Sequence, residues 1–271
     1  MSWRKIQWMF KRHPFLYLVR FRLLSKNTNI ETIADYSYNN HNSKDEIPEC
    51  FYEINSRIFE SYKPKTDLDK VKCLSLWLHK HIKKGPGLSV SSDVALKIML
   101  EGKGGVCSDM VQIFNNFCVI NDIKVREWGA TLAPFSKNYG GHSFNEVYCK
   151  ELSKWVLIDP YWGILFFNKL KLPLSVIETY KIIRENISEI NYVVIDKNEV
   201  LQKENVYKNY LNPDIAPFLI CGYHNKTYDK FLKVTRPYLP VFITHFTVFL
   251  LNKSYSYKFP LDNYKNIFIK H

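Results

Sequence analysis

A pair of glycines followed by a cysteine, Gly104-Gly105-Val106-Cys107, is the feature that most restricts how this chain can fold. Glycine tolerates positive φ and carries no side chain, so the backbone can turn sharply here and leave space beside the cysteine. After Ser108, apolar residues recur at intervals of three or four positions, which predicts a helix with one buried face. These residues are Met110, Ile113, Phe114, Phe117 and Ile120. The pattern therefore places Cys107 at the start of a helix.

A cysteine at a helix N-terminus has two interpretations. The positive end of the helix dipole favours the thiolate, which is the nucleophilic form, and the N–H groups there can hold a developing oxyanion. A free cysteine is also commonly a small buried apolar residue. Cys107 by itself does not decide between a nucleophile and a core residue.

The composition indicates a globular chain. It has 271 residues, of which 46% are hydrophobic and 15% aromatic, and this length suits one large domain or a domain with an appended lobe. The six cysteines include no C-x-x-C pair, which argues against a zinc site of the usual spacing. Arg20 and Arg22 interrupt the apolar run 15–24, so no export signal is recognised. We expect free thiols, a cytoplasmic location, and neither metal nor cofactor.

The net charge of +12 is concentrated at the N-terminus. Residues 1–30 hold seven basic and no acidic residues, and therefore carry +7, with six Trp, Phe or Tyr side chains between them. Such a mixture is typical of segments at a membrane interface and of sites for anionic polymers, but also of a basic arm packed on its domain. We expect an anionic membrane surface or an anionic polymer as a partner if the arm is exposed, with peripheral attachment, and no nucleic acid.

Three segments are predicted along the chain. Residues 1–46 form the basic aromatic arm with an irregular linker at 27–45, residues 47–170 a catalytic core, and residues 171–271 a C-terminal extension packed on that core. The strongest helix pattern is 67–84, with Thr66 or Asp67 as its N-cap. The apolar run 241–251 is too short to cross a bilayer and is interpreted as a core element.

The residues after Asp122 change to a strand pattern. Three short stretches rich in aromatic and β-branched residues, 123–131, His142–Cys149 and 154–158, predict neighbouring antiparallel strands. A helical half that carries the cysteine is thus followed by an antiparallel sheet, which is an α+β arrangement. The region after Pro173 contains no motif from which a function is predicted.

Two residues of this predicted sheet could act together with Cys107 in catalysis. His142 follows Gly140-Gly141 at the start of one strand, and Asp159 lies at the end of the next. Adjacent antiparallel strands can bring the two side chains together. The imidazole would share the thiol proton, and the carboxylate would fix its tautomer and stabilise the imidazolium. Trp77, Asp109 and Glu146 are interpreted as packing or bracing residues.

The motifs G-V-C-S-D, G-H-S-F-N-E-V-Y and W-V-L-I-D-P occur in this order, and together they resemble the core of the transglutaminase-like superfamily. The resemblance covers about residues 67–163. It implies a papain-like α+β fold in which Cys107 is the nucleophile, His142 the general base and acid, and Asp159 the orienting carboxylate.

The resemblance also implies acyl transfer from an amide or ester through a thioester intermediate. The acyl group could pass to an amine, as in an acyltransferase, or to water, as in an amidase or thiol protease-like hydrolase, and the motifs do not identify the substrate. The alternative is a catalytically silent binding protein that uses the same cleft and a basic surface. A third hypothesis is an adaptor for membranes or anionic polymers organised by residues 1–30.

Overall fold

The computed structural model describes residues 14–136, 139–199 and 201–268. Within these residues, eight strands form one sheet in the order β1-β8-β7-β2-β3-β4-β5-β6. All neighbouring strands are antiparallel except β1 and β8, which are parallel. The strands are β1 (Ser25–Asn27), β2 (Val125–Leu132), β3 (His142–Cys149), β4 (Lys154–Asp159), β5 (Ile164–Asn168), β6 (Ile190–Val194), β7 (Ile215–Cys221) and β8 (Ser256–Phe259).

Helices lie before, between and after these strands in the chain. They are α1 (Pro14–Leu24), α2 (Ile30–Ile33), α3 (Glu49–Ile58), α4 (Asp67–His81), α5 (Ser92–Leu100), α6 (Cys107–Ile120), α7 (Val176–Asn186), α8 (Lys203–Val206), α9 (Asn225–Thr235), α10 (Val241–Leu250) and α11 (Tyr264–Ile267). A π-helical turn, Tyr207–Leu211, follows α8. The mixture of helices with a mostly antiparallel sheet confirms the predicted α+β class.

The predicted long helix is present as α4, with Thr66 as its N-cap. The Thr66 hydroxyl accepts a hydrogen bond from the Asp69 N–H at 3.1 Å, which satisfies one of the donors left without a partner at a helix start. The helix ends at His81, three residues before the predicted end, because Ile82 has extended backbone angles. Gly85 then bonds to the loop before Cys107, its N–H lying 2.8 Å from the Gly105 carbonyl oxygen.

Helix α6 is buried more completely than the predicted single apolar face requires. Its apolar residues share a core with α3, α4, α5 and the adjoining face of the sheet. Its polar residues Asn115 and Asn116 are also buried, and each has a partner: Asn145 donates to Asn115 at 2.7 Å and Asn225 donates to Asn116 at 2.7 Å. The prediction failed on this face because local periodicity does not reveal a polar side chain that accepts a hydrogen bond from a distant residue.

Strands from all three predicted segments enter the same sheet. β1 comes from the first segment, β2 to β5 from the second and β6 to β8 from the third, and β7 lies directly beside β2. The division at residues 46 and 170 stays a prediction. The linker at 27–45 differs from the expected irregular chain, since Ile33 and Tyr38 are buried and Arg126 donates to the Ile33 carbonyl at 2.7 Å.

Two further predictions concern the ends of the chain. Residues 1–13 of the basic arm lie outside the described residues. The run 241–251 forms α10 and the turn after it, and Val241, Thr244 and Val248 are buried as expected of a core element, whereas the opposite face of the helix is exposed. No helix of the described residues combines the length and the apolar character needed to span a membrane.

Candidate active site

Cys107 is the first residue of α6, and the loop that delivers it depends on glycine. Gly104 and Gly105 have φ values of +144° and +122°, a region that side-chain-bearing residues rarely adopt. A Cβ at Gly105 would also lie 2.4 Å from the terminal methyl of Met99. The close approach of α5 to this loop therefore requires glycine immediately before the Val106-Cys107 pair.

Asp109 fixes the loop on the helix that follows it. One of its carboxylate oxygens, Oδ2, accepts from the Val106 N–H at 2.9 Å and from the Leu88 N–H at 3.2 Å. A carboxylate in the first turn also interacts favourably with the helix dipole. Asp109 thus braces the backbone on both sides of the site, and the first N–H groups of α6, which have no acceptor within the helix, lie beside the Cys107 side chain.

His142 and Asp159 lie at the same end of the sheet. The β3–β4 ladder runs from Cys149 opposite Lys154 to Asn145 opposite Ile158, so the start of β3 and the end of β4 meet. The Nε2 atom of His142 is 2.5 Å from Oδ2 of Asp159, and both side chains are buried. The contact predicted between these two residues is present.

The Asp159 carboxylate is held by further donors. Its other oxygen, Oδ1, accepts from the N–H groups of Tyr161 at 2.7 Å and Trp162 at 3.1 Å, and the Tyr210 hydroxyl donates to Oδ2. Burial opposes ionisation, but the charge of His142 and these hydrogen bonds outweigh it and hold the pKa of Asp159 below its usual value. Asp159 is therefore an ionised partner for the imidazole.

The pKa of His142 is shifted in the opposite sense. Burial lowers it, but the negative charge of Asp159, the hydrogen bond to that carboxylate and the neighbouring Cys107 raise it above the usual value for histidine. Since Nε2 is occupied by Asp159, Nδ1 is the ring nitrogen left for Cys107. The arrangement favours the imidazolium form of His142, which is the form that would pair with the sulfur of a nucleophilic cysteine.

The segment that carries Cys107, His142 and Asp159 was compared with known protein families.

Residues 53–160 match the family model described as the transglutaminase-like superfamily.

This match confirms the resemblance found in the sequence, and the matched segment contains Cys107, His142 and Asp159. A solved structure named as a putative cysteine protease from Cytophaga hutchinsonii is 20% identical over 42% of this chain, with a TM-score of 0.33. The alignment covers 37% of that structure's own chain. A search of the curated proteins found no match to the sequence.

The transglutaminase-like segment does not build the site alone. Tyr210, from the π-helical turn after α8, is buried, and its hydroxyl oxygen lies 3.2 Å from His142 Nε2 in addition to bonding Asp159. Its ring meets the imidazole edge-on at 90°. No sequence pattern identifies Tyr210, because it lies in a region rich in tyrosine with no motif, 51 positions from Asp159. The final third therefore contributes to the site.

Aromatic residues and one lysine surround the triad. The Lys84 ammonium lies 5.0 Å from the ring centre of Tyr161 and 4.1 Å from that of Trp162, and burial lowers its pKa. Burial and the charge of Cys107 raise the pKa of Tyr161 to about 12 and that of Tyr139 further still. Both phenols are therefore uncharged at neutral pH.

The other residues discussed from the sequence have packing or bracing contacts. Glu146, which is fully buried, accepts from Arg126 Nε at 2.6 Å, Trp128 Nε1 at 2.8 Å and the Val176 N–H at 2.7 Å. Trp77 stacks on His81 with ring centres 4.3 Å apart. Among the described residues no group of three His, Cys, Asp or Glu side chains is arranged to hold a metal ion.

Proposed function

We propose that this protein is a cysteine-dependent acyl-transfer enzyme with Cys107, His142 and Asp159 as its catalytic residues. The observation that carries the proposal is the buried His142, whose Nε2 is held by Asp159 and whose pKa is raised by Asp159 and by Cys107 at the helix start. In this proposal the cysteine helix and the strands that follow it form a papain-like unit. The match of residues 53–160 to the transglutaminase-like superfamily supports the same assignment.

The first half of the reaction follows from these contacts. The Cys107 thiolate attacks the carbonyl carbon of an amide or ester, and the oxygen that becomes negative is stabilised by N–H groups at the start of α6. The His142 imidazolium then gives its proton to the departing amine or alcohol as the carbon–heteroatom bond breaks. The acyl group is left on sulfur as a thioester, and His142 is neutral.

In the second half, an amine or a water molecule attacks the thioester carbonyl. His142 accepts the proton of this nucleophile, the carbon–sulfur bond breaks, and the thiolate–imidazolium pair is restored. Asp159 keeps its charge throughout and orients the ring. The choice between amine and water depends on how well the closed site excludes solvent, so both an acyltransferase and a hydrolase fit these residues.

The test uses an activated ester, p-nitrophenyl acetate, with and without a primary amine. We expect a burst of one nitrophenolate per chain and an acetyl group on Cys107 by peptide mass mapping, while Cys107→Ser gives no burst. Cys73→Ser is the matched control, because Cys73 is half-buried like Cys107 but burial raises its pKa. Faster turnover with the amine, and an amide product, would identify transfer in preference to hydrolysis.

Iodoacetamide gives a second measurement that does not depend on the choice of ester. Cys107 should be alkylated first near neutral pH, because burial raises the pKa of each of Cys50, Cys73, Cys118, Cys149 and Cys221. Alkylation of Cys107 no faster than that of Cys50, together with no burst, would contradict the enzyme and leave the silent binding protein as the better hypothesis.

The cellular setting belongs to the same proposal. We place the protein in the cytoplasm, a reducing compartment in which its thiols would stay free. The basic arm supplies an electrostatic attraction to an anionic surface at which the enzyme would work peripherally.

A further inference from the structure

Helix α10 exposes an apolar face. Its buried side consists of Val241, Thr244 and Val248. On the opposite side Phe246, Phe249 and Leu250 follow a spacing of three and four residues, so they lie on one stripe, with Phe246 59% and Leu250 66% exposed. A surface helix normally carries polar residues there. α10 has no acidic, lysine or arginine side chain at any position.

The exposed apolar surface continues past both ends of the helix. Tyr238, 84% exposed, and Leu239 precede α10, and Leu251 follows it. With ten residues, the helix is about 15 Å long. We call the α10 face the set Tyr238, Leu239, Phe246, Phe249, Leu250 and Leu251. This continuous apolar patch is unlike an ordinary protein surface, where exposed apolar residues are scattered singly.

Basic residues lie on both sides of α10 in the chain. Residues 230–261 contain five Lys or Arg and no Asp or Glu. Lys230 and Lys253 are exposed on either side of α10 in the chain, and Arg236 is half-buried at the end of α9. The neighbouring acidic groups are engaged, since Asp93 pairs with Lys233 at 3.0 Å and Asp229 accepts from Ser92. With Lys233 paired, Lys230, Arg236 and Lys253, which we call the rim, leave an excess of positive charge in the chain around α10.

We propose that the α10 face docks on an anionic lipid bilayer, with the helix parallel to the membrane plane. The apolar stripe enters the boundary between headgroups and acyl chains, Tyr238 lies at the headgroup level, and the lysines of the rim meet the lipid phosphates. This surface contains none of the residues of the proposed acyl-transfer site and none of residues 1–13.

The positive charge of the rim favours an anionic bilayer over two other occupants of the α10 face, a second copy of the chain and residues 1–13. In a two-fold dimer the same surface meets itself, so the rim of one copy would face the identical rim of the other. Residues 1–13 contain Arg4, Lys5, Lys11 and Arg12 and no acidic residue, so they too would repel the rim. An anionic bilayer complements the rim and the apolar stripe together.

The test is co-sedimentation of the full chain with vesicles of phosphatidylcholine containing about a third phosphatidylserine. Phe246→Ser/Leu250→Ser should lower the partition coefficient by at least about tenfold. Leu170→Ser/Leu172→Ser is the matched control, because these leucines are 79% and 52% exposed on the turn after β5, and it should bind like the wild type. Because all four side chains are exposed, circular dichroism should be unchanged in both variants.

A measurement on the wild type avoids any effect of substitution on folding. Addition of the same vesicles should slow amide hydrogen exchange in peptides covering 238–251, and not in those covering 164–172. Equal vesicle binding by Phe246→Ser/Leu250→Ser and the wild type would overturn the proposal. So would a wild-type dimer that dissociates in this variant without vesicle binding, which would assign the face to a second copy. Neither readout depends on catalysis.

Discussion

At the scale of single residues, the proposed site depends on hydrogen bonds that converge on one carboxylate. Asp159 accepts from His142, Tyr210 and two backbone N–H groups, so both of its oxygens are used. A buried carboxylate satisfied in this way stays ionised and holds a fixed position. Tyr210 is therefore a positioning residue that acts on His142 through Asp159.

Replacement of Tyr210 tests this role. Tyr210→Phe removes one charge-assisted hydrogen bond, and we expect kcat/KM to fall by about ten- to a hundredfold. Because that bond helps to lower the pKa of Asp159, its loss should move the acidic limb of the pH–rate profile to higher pH. Tyr207→Phe in the same turn is the control, since Tyr207 is 50% exposed. A fall in rate with an unmoved acidic limb would indicate a merely structural role.

The pH dependence of stability gives an independent prediction. The folded pKa of His142 is raised, so its stabilising contribution is fully present below the unfolded value of about 6.5 and is lost as pH rises through the folded value. The difference in free energy of unfolding between wild type and His142→Gln should therefore be larger at mildly acidic than at alkaline pH. Urea denaturation across that range measures it, with the exposed His81→Gln as control. A difference that grows with pH would contradict the assigned charge.

At the scale of elements, the loop between α5 and α6 determines that helix α6 begins at Cys107. Gly105 is required both by its positive φ and by contact with Met99, whereas Gly140 has a positive φ of +72° and nothing within 4 Å of an added Cβ. A comparison of Gly105 with Gly140 therefore distinguishes the cost of backbone strain from the cost of steric crowding.

Alanine at these two glycines should have unequal effects. Gly140→Ala should cost about 1 kcal/mol of folding free energy, from backbone strain alone. Gly105→Ala should cost more, about 2 to 4 kcal/mol, because Met99 must also move. It should slow alkylation of Cys107 as the helix start shifts. Chemical denaturation and the iodoacetamide rate are the measurements, and equal costs at both positions would show that the Met99 contact is unimportant.

At the scale of the whole molecule, one sheet joins elements far apart in the chain. β1 and β8 lie side by side although they are separated by more than two hundred residues, and Phe21 of α1 is buried against Tyr257 and Phe259 of β8. A truncation of the basic arm must therefore stop before α1, and deletion of residues 2–13 is the change that leaves the described fold intact.

This deletion separates the contribution of residues 2–13 from apolar insertion by the α10 face. It removes four basic residues, and since each contributes roughly 1 kcal/mol near an anionic surface, vesicle binding should weaken strongly at low salt. At high salt, where charges are screened, the deleted and full-length proteins should bind alike through the α10 face. Turnover of the ester should be unaffected. Equal binding at low salt would remove the arm as an electrostatic anchor.

The amino-acid sequence was sufficient for features that depend on neighbouring residues. The cap at Thr66, the helix that starts at Cys107, the strand that starts at His142 and the order of the three motifs all follow from local patterns of apolar residues, glycines and polar caps. These patterns are readable because a helix or strand repeats every few residues. The match to the transglutaminase-like superfamily confirms the resemblance that the three motifs carry together, while the catalytic roles stay predictions.

Only the tertiary structure decided which distant side chains meet. Tyr210 reaches Asp159 from a region without a motif, Asn225 donates a hydrogen bond to the buried Asn116, and α10 turns one apolar face inward and the other to the solvent. A sequence pattern records that a residue is apolar or polar, but not which partner will cover it or bond to it. That depends on how β7 and β8 are inserted beside β2, a long-range pairing that no local period encodes.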